Sequence, residues 1–238
     1  MLMHVPTTDL PATAILHLDI VSDAICPWCY VAKRRIERAA KICAVDGLAI
    51  DVHWRAYELN PDMPAEGLDR KSYRSAKFGS WEKSQQLDAQ VAGQAIGEGL
   101  HFDHDLMLRT PNTRAAHRLI ALAYRDGGAS LQDAVVEAIF AAYFTEGRDI
   151  GDIVVLETIA RACGVQAATT EGLHDSGGLQ TVLADEDRGR AAGLTGVPSV
   201  LASTFFLFSG AQPVDDIVRA FKASHAQMTD DTRAGIFQ

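Results

Sequence analysis

Residues 22–37 read SDAICPWCYVAKRRIE, and this stretch decides the fold. The short apolar run just before it, residues 15–21, predicts a buried strand. After the cysteine pair, an apolar stripe at helical spacing predicts a helix. This stripe holds Ala32, Ile36, Ala39, Ala40 and Cys43. Cys26 and Cys29 therefore lie where a strand turns into a helix.

The next segment completes a strand–helix–strand unit. Residues 48–55 alternate side chains between two faces, with Leu48, Ile50, Val52 and Trp54 on the apolar face. Two strands joined by a helix of this length favour parallel pairing with a crossover helix. The opening of the chain is therefore predicted to build an α/β sheet.

The remainder predicts that this α/β domain is interrupted. The pattern is helical and shows no convincing strand up to about residue 193. Strand character returns at residues 200–201 and 205–208, before a last helix over residues 214–224. The predicted parts are an α/β domain (14–70 and 194–226), a helical insertion domain (71–193) and flexible termini (1–13 and 227–238).

Composition excludes several classes of protein. The chain has 238 residues, 47% hydrophobic and 22% charged, which is typical of a globular protein. Its net charge of −9 argues against nucleic-acid binding. No apolar run reaches the roughly 18 residues of a membrane span, and the N-terminal residues lack the features of a secretory signal. We therefore expect a cytoplasmic protein that binds neither nucleic acid nor membrane.

A C-x-x-C pair at a helix start has a specific chemistry. The first backbone N–H groups of a helix lack partners, so a thiolate at Cys26 would be stabilised there. Cys29, one turn further on, could attack a mixed disulfide on Cys26 and release the partner. Pro27 suits an early helical position. Asp23 is a candidate proton acceptor for Cys29.

Other readings of these residues were weighed. The pair could be half of a zinc site, but no second C-x-x-C supplies the remaining ligands, so we expect no metal and no cofactor. Pro198 stands at a strand entry, where a cis bond after Val197 is one explanation and an ordinary turn is another. His117 is expected to be a partly exposed helical histidine, and the basic residues 33–41 a solvated face.

The chain as a whole resembles a known family. The active-site stretch is similar to that of the DsbA-like thioredoxin superfamily, and most similar to its FrnE-type branch of dithiol–disulfide isomerases. Colinear supporting stretches are residues 58–64 (ELNPDMP), 109–119 (RTPNTRAAHRL), 142–150 (AYFTEGRDI), 195–199 (TGVPS) and 209–212 (SGAQ). The resemblance runs from about residue 16 to 222. It implies a thioredoxin-like fold with a large all-α insertion.

The resemblance also implies roles for single residues. Cys26 would be the exposed nucleophile and Cys29 the resolving thiol, with Trp28 between them as support. Pro198 would be cis beside the disulfide, and the backbone of Val197 would pair with an extended substrate segment. Thr195 and Asn112 are further candidates for substrate binding. Ser199 and the run Ala202-Ser203-Thr204 depart from the family pattern and put only local geometry in doubt.

Three functions follow from these expectations. The leading one is a thiol–disulfide oxidoreductase acting on a protein or small molecule with thiols or disulfides, with glutathione as one candidate. A cytosolic setting favours isomerisation or reduction over net oxidation. The alternatives are a glutathione-dependent transferase or isomerase of the kappa type, and a non-catalytic, redox-switched peptide-binding module.

Overall fold

The computed structural model describes residues 14–166, 172–173 and 176–233. The strands are β1 (Ala14–Ser22), β2 (Leu48–Ala56), β3 (Leu68–Asp69), β4 (Arg109–Thr110), β5 (Ser199–Ala202) and β6 (Phe205–Ser209). The helices are α1 (Pro27–Val45), α2 (Arg70–Phe78), α3 (Trp81–Gly97), α4 (Arg114–Phe140), α5 (Ile153–Cys163), α6 (Ser176–Ala191) and α7 (Val214–Arg233). A π-helical turn, Ala141–Thr145, follows α4. Among the described helices, none is long and apolar enough to cross a membrane.

The main sheet has four strands in the order β2-β1-β5-β6. Strands β1 and β2 are parallel over their whole length, which confirms the predicted crossover through α1. Strand β5 pairs with β1 in the antiparallel direction, so that Val21 faces Ser199. This pairing brings the loop before β5 to the end of β1, next to the turn that carries the cysteines.

Strand β2 is an edge strand, and a side chain closes part of its free edge. Oε1 of Gln132 accepts a hydrogen bond from the Trp54 N–H at 2.8 Å, and its Nε2 donates to the Trp54 carbonyl at 3.0 Å. Gln132 is fully buried. One amide thus replaces a ladder pair of a missing neighbouring strand, and it ties α4 to the sheet.

The helices do not form a separate core. One contiguous hydrophobic cluster includes Leu18 of β1, Tyr30 of α1, Leu119 of α4 and Phe221 of α7. The ring of Tyr30 stacks on Phe140, with centroids 5.0 Å apart. The residues predicted as an insertion therefore pack directly against the helix that carries the cysteines.

Two sequence-based boundaries are corrected. Strand β4 lies inside residues 71–193, where no strand was expected; its single ladder with β3 is too short to show alternation. Helix α4 itself consists of two helical halves, because Gly127 and Gly128 have non-helical backbone angles and form a kink between them. Helix α7 extends to Arg233, so residues 227–233 are helical rather than a loose terminus, because Ile217, Phe221 and Met228 continue one core-facing stripe. Residues 1–13 and 234–238 lie outside the described residues.

Candidate active site

Cys26 is the N-cap residue of α1. Its backbone is extended, with φ −90° and ψ 109°, and no side chain caps the helix start. Pro27 opens the helix, where its missing N–H leaves no hydrogen bond unmade. The Cys26 N–H donates to the Asp23 carbonyl at 3.0 Å, which forms the tight turn between β1 and α1. The Cys29 N–H donates to the Cys26 carbonyl at 3.0 Å, so Cys26 stands at the positive end of the α1 dipole.

The two thiols differ in accessibility. Cys26 is 5% exposed and Cys29 is completely buried, and both are free thiols. The expectation that Cys26 is openly exposed is therefore wrong, because the Val197 loop lies over its sulfur. The small remaining exposure belongs to Cys26, so an incoming disulfide meets this sulfur first.

Burial also determines the acidity of Cys29. Burial raises the pKa of the Cys29 thiol well above its usual range, and the adjacent Cys26 raises it further through a hydrogen bond and its charge. Hydrogen bonds from the Ser22 side chain and the Asp23 backbone act in the opposite direction. Cys29 therefore holds its proton tightly and needs help to lose it.

The loop before β5 completes the site. The Val197–Pro198 peptide bond is cis. The Cys26 Sγ donates to the Val197 carbonyl at 3.7 Å, across a large separation in sequence. The register of β5 on β1 places these residues together, because Pro198 directly precedes Ser199, the partner of Val21. Sequence spacing alone could not establish this contact.

A surface cavity of about 520 Å³ lies beside this loop. Its lining includes Thr195, Val197, Pro198, Phe206 and Ser209. Phe206 is 53% exposed, so the cavity has an apolar side. Three of the four predicted substrate-binding residues thus share one concave surface, and one of them, Val197, contacts the Cys26 sulfur through its carbonyl.

Asn112, the fourth predicted substrate-binding residue, is not among the residues lining this cavity. Its Nδ2 donates to the Met63 carbonyl at 2.7 Å, and its Oδ1 accepts from the Arg114 N–H at 2.9 Å. Both ends of the amide are engaged within the chain. This side chain holds the loop before α4 against residues 58–64, and its contacts are structural.

Asp23 and His117 form a buried polar pair behind the thiols. The Asp23 carboxylate is fully buried; Oδ2 accepts from the Leu59 N–H at 2.7 Å, and Oδ1 lies 3.3 Å from His117 Nε2. His117 is 3% exposed, so the expectation of a partly exposed histidine is wrong. His117 lies three residues before Ile120, so the two side chains share one face of α4, and this spacing could have predicted that His117 is buried.

The pair favours a charged imidazole. Burial disfavours the imidazolium, but the hydrogen bond to Asp23, the charge of Asp23, and the charges of Glu58 and Glu186 outweigh it and raise the pKa of His117. For Asp23, only its backbone is among the groups that hydrogen-bond the Cys29 thiol. A role for Asp23 as direct proton acceptor stays a prediction that no contact of its carboxylate supports.

The basic residues of α1 are not uniformly solvated. Lys33 is 2% exposed and lies among three carboxylates, those of Glu37, Asp133 (2.9 Å) and Glu137 (3.2 Å). The expectation of a solvated face is wrong for Lys33, because the second half of α4 packs against α1 and brings two of these carboxylates with it. Lys33 is a tether between two helices.

No metal centre accompanies the cysteine pair in the described part of the chain. Within residues 14–166, 172–173 and 176–233, no three His, Cys, Asp or Glu side chains are grouped so that they could hold an ion. Cys43 is fully buried and Cys163 is half-buried, each as a free thiol apart from the pair. The site is therefore described by its two sulfurs and the loop beside them.

Comparisons with known proteins agree with this geometry. The family described as "DSBA-like thioredoxin domain" matches residues 17–222. The chain is 28% identical over 182 residues to the uncharacterized protein YwbO of Bacillus subtilis (strain 168), covering 70% of this chain and 76% of YwbO.

Solved structures extend the likeness. The chain resembles the probable DsbA oxidoreductase SCO1869 from Streptomyces coelicolor with a TM-score of 0.76 and 30% identity, covering 88% of this chain and 89% of that one. It also shares the fold of the cytosolic disulfide reductase DsbM from Pseudomonas aeruginosa with GSH, at a TM-score of 0.58 and 18% identity, covering 92% of this chain and all (100%) of DsbM.

Proposed function

The chain belongs to the DsbA-like thioredoxin family of thiol–disulfide oxidoreductases, and from this premise we propose that it is a dithiol–disulfide isomerase or reductase that acts through Cys26 and Cys29. One observation carries the proposal. The Cys26 sulfur stands at the uncapped start of α1 and 3.7 Å from the Val197 carbonyl, in the loop that carries cis Pro198. A helix start favours a thiolate, and the loop that contacts this sulfur lines the concave surface beside Pro198.

The exchange runs in two steps. The Cys26 thiolate attacks one sulfur of a substrate disulfide, the substrate S–S bond breaks, and the other substrate sulfur leaves with the bonding electrons and takes up a proton. Cys29 then loses its proton and attacks Cys26, which releases the second substrate sulfur as a thiol. The substrate disulfide has gained two electrons, and Cys26 and Cys29 have become a disulfide. Pro27 and Trp28, which separate the two thiols, support this geometry.

The cavity beside Pro198 suits an extended thiol-containing chain. We expect a peptide segment to pair with the backbone of Val197 by strand addition, and Thr195 and Phe206 line the same surface. A small tripeptide such as glutathione fits this description as well as a protein segment does, and DsbM has been seen with GSH. We assign the protein to the cytoplasm, where a glutathione pool would favour reduction or isomerisation.

Two other functions remain as alternatives. A kappa-type glutathione transferase would conjugate glutathione without turnover of the thiol pair; the paired free thiols speak for the oxidoreductase instead. A redox-switched peptide-binding module would use the same cavity without catalysis. It predicts peptide binding that survives Cys26→Ser with no turnover by the wild-type protein.

The test is the redox equilibrium of the cysteine pair. The protein is equilibrated in graded glutathione redox buffers, and its free thiols are alkylated and counted by mass. We expect a single two-thiol transition. A potential near about −270 mV indicates a reductase, and one above about −200 mV an isomerase or an oxidase. If no intramolecular disulfide forms at any ratio, the proposal fails.

Matched variants locate the transition. Cys163→Ser removes a half-buried thiol outside the site and should leave the potential unchanged. Cys29→Ser should abolish the two-thiol transition and leave a mixed disulfide with glutathione on Cys26. Reactivation of a scrambled disulfide protein by the wild type then separates isomerase from reductase, because only an isomerase restores activity without an added oxidant.

A further inference from the structure

The buried position of Cys29 poses a question of proton transfer. Cys29 is fully buried, and its pKa is raised by that burial, yet it must lose a proton before it can attack Cys26. The Asp23 carboxylate is engaged by Leu59 and His117, and the Asp23 group that reaches the Cys29 sulfur is its backbone. A hydrogen bond with the Ser22 side chain acts against this rise and lowers the pKa of the Cys29 thiol.

A small internal cavity lies on the other side of Ser22. Its volume is about 10 Å³, close to the minimum that holds one water molecule. Its lining includes the polar residues Ser22, Arg55 and His117 together with apolar residues of α4. Apart from Arg55, every lining residue is buried. Ser22 and His117 thus line one cavity that is just large enough for a single water molecule.

A second, larger cavity begins where the first one ends. It has a volume of about 470 Å³ and opens between β2, α4 and α6. His117, Arg55 and Trp54 line both cavities. His117 thus stands between a space near the buried thiol and a space open to solvent.

Asp23 fixes the state of the imidazole. A carboxylate can only accept hydrogen bonds, so Nε2 of His117 carries the proton that faces Asp23 Oδ1. Nδ1 is then the basic nitrogen of the neutral ring. A carboxylate that orients a histidine in this way, so that its other nitrogen takes a proton, is the arrangement of a general base.

We propose that His117, held by Asp23, is a positioning residue that removes the Cys29 proton through the Ser22 hydroxyl and one water in the small cavity. This inference rests on the proposed function. As Cys29 attacks Cys26, its proton passes to Ser22 Oγ, the Ser22 proton passes to the water, and a water proton passes to His117 Nδ1. The imidazolium later releases one proton to the open cavity, and the leaving substrate sulfur takes one up from solvent.

The ring has charged neighbours on every element around it, and they determine where it titrates. The charged residues that act on the ring or line one of the two cavities are Asp23, Arg55, Glu58, Arg125, Asp185 and Glu186. The three acidic groups that act most strongly, led by Asp23, raise the pKa of His117 against the effect of burial. Only the neutral ring can take up a proton, so the relay becomes active as the pH rises through the raised pKa of His117, above the ordinary histidine value of about 6.5.

Stopped-flow mixing of the reduced protein with a chromogenic aromatic disulfide tests the relay. The first release of aromatic thiolate reports the attack by Cys26, and the second reports its resolution by Cys29. In the wild type the second phase should accelerate with pH and level off above about pH 6.5. In His117→Gln, which can still donate to Asp23, the second phase should slow about 100-fold and lose this levelling, while the first phase is unchanged.

Two further variants separate a relay from a structural role. His53→Gln changes another histidine that lines the open cavity but does not touch Asp23, and both phases should stay as in the wild type. Ser22→Ala should slow the second phase alone, and Ser22→Ala with His117→Gln should be no slower than the worse single variant, because both residues serve one path. If His117→Gln does not fold, Ser22→Ala alone must show the slowed second phase and the lost levelling.

The outcomes distinguish the two proposals. A wild-type protein without a first phase, or with a first phase and no second, contradicts the dithiol function itself. Two normal phases in the wild type, with a second phase in His117→Gln that keeps its rate and pH profile, overturn the relay alone. Additive slowing in the double variant also overturns it, because the two side chains would then act independently.

Discussion

Gln132 should contribute more to the free energy of unfolding than any exposed glutamine of this protein. Replacement by alanine removes the amide that pairs with the Trp54 N–H at 2.8 Å and the Trp54 carbonyl at 3.0 Å. Trp54 is 3% exposed, so both backbone groups lose their partners in a largely dry environment. Each unsatisfied buried group costs about 1–3 kcal/mol.

The magnitude follows from these contacts. Two unsatisfied groups would cost about 2–6 kcal/mol, and the open cavity that Gln132 also lines lets water reach one side of the gap. We therefore expect Gln132→Ala to lower the free energy of unfolding by about 3 kcal/mol. Gln132→Glu keeps an acceptor for the Trp54 N–H, and as a neutral carboxyl it also keeps an O–H that can donate to the Trp54 carbonyl. Its loss should therefore be smaller than that of Gln132→Ala in acidic buffer, where the carboxyl is neutral.

Urea unfolding followed by tryptophan fluorescence measures the change. The midpoint should fall while the slope with denaturant stays constant, which marks a change of stability rather than of the unfolded state. Gln85→Ala, at an exposed position of α3, is the control and should stay within about 0.5 kcal/mol of the wild type. If Gln132→Ala is no less stable than this control, the amide does not close the sheet edge in the way described.

Three further predictions concern the site and its supports. Incubated with excess glutathione disulfide, Cys29→Ser should accumulate one glutathione on Cys26, while Cys26→Ser should not. Intact mass measures both variants, and equal labelling would contradict the assignment of Cys26 as the attacking thiol and Cys29 as the resolving one. Because the pKa of His117 is raised in the folded state, the imidazolium stabilises the fold fully below about pH 6.5 and this stabilisation is lost as the pH rises through the folded pKa. The advantage of the wild type over His117→Gln in urea unfolding should therefore shrink with rising pH, and a constant difference would speak against a charged pair. Lys33→Met should lower the free energy of unfolding by about 2 kcal/mol. This is less than the roughly 3–5 kcal/mol of a fully buried pair, because the carboxylate partners of Lys33 are partly exposed. Lys41→Met, at an exposed position, is the control in thermal unfolding, and equal melting temperatures of the two variants would refute the role of Lys33 as a tether.

Local patterns were sufficient wherever a side chain's role depended on its own segment. The alternation of residues 48–55 predicted β2, and the start of the apolar stripe after Pro27 predicted α1 with the cysteines at its N-terminus. Asp152 was recognisable as a helix cap, and its side chain accepts from the Val154 N–H. Period and capping are properties of a few consecutive residues, so they can be read without knowing what packs against them.

Burial by a distant element was not readable in this way. Lys33 and His117 looked solvated because each lies among charged neighbours in sequence. The ion pairs of Lys33 with α4 and the packing of α4 against β2 accompany their burial. The resemblance predicted Asn112 in the substrate site, whereas its amide donates to the Met63 carbonyl and accepts from the Arg114 N–H. Helix α7 continues to Arg233, and Met228 in its later part packs against the core. The weak local periodicity of this segment did not reveal that contact.

The sequence by itself determined the chemistry of this protein: two thiols one helical turn apart, at a position where a strand gives way to a helix whose N–H groups favour a thiolate. The tertiary structure decided what surrounds those thiols. Antiparallel pairing of β5 with β1 brings Val197 onto Cys26, and the packing of α4 sets His117 behind Asp23. Such contacts join residues far apart in the chain, and they arise from which apolar faces bury one another, a property that no single segment carries.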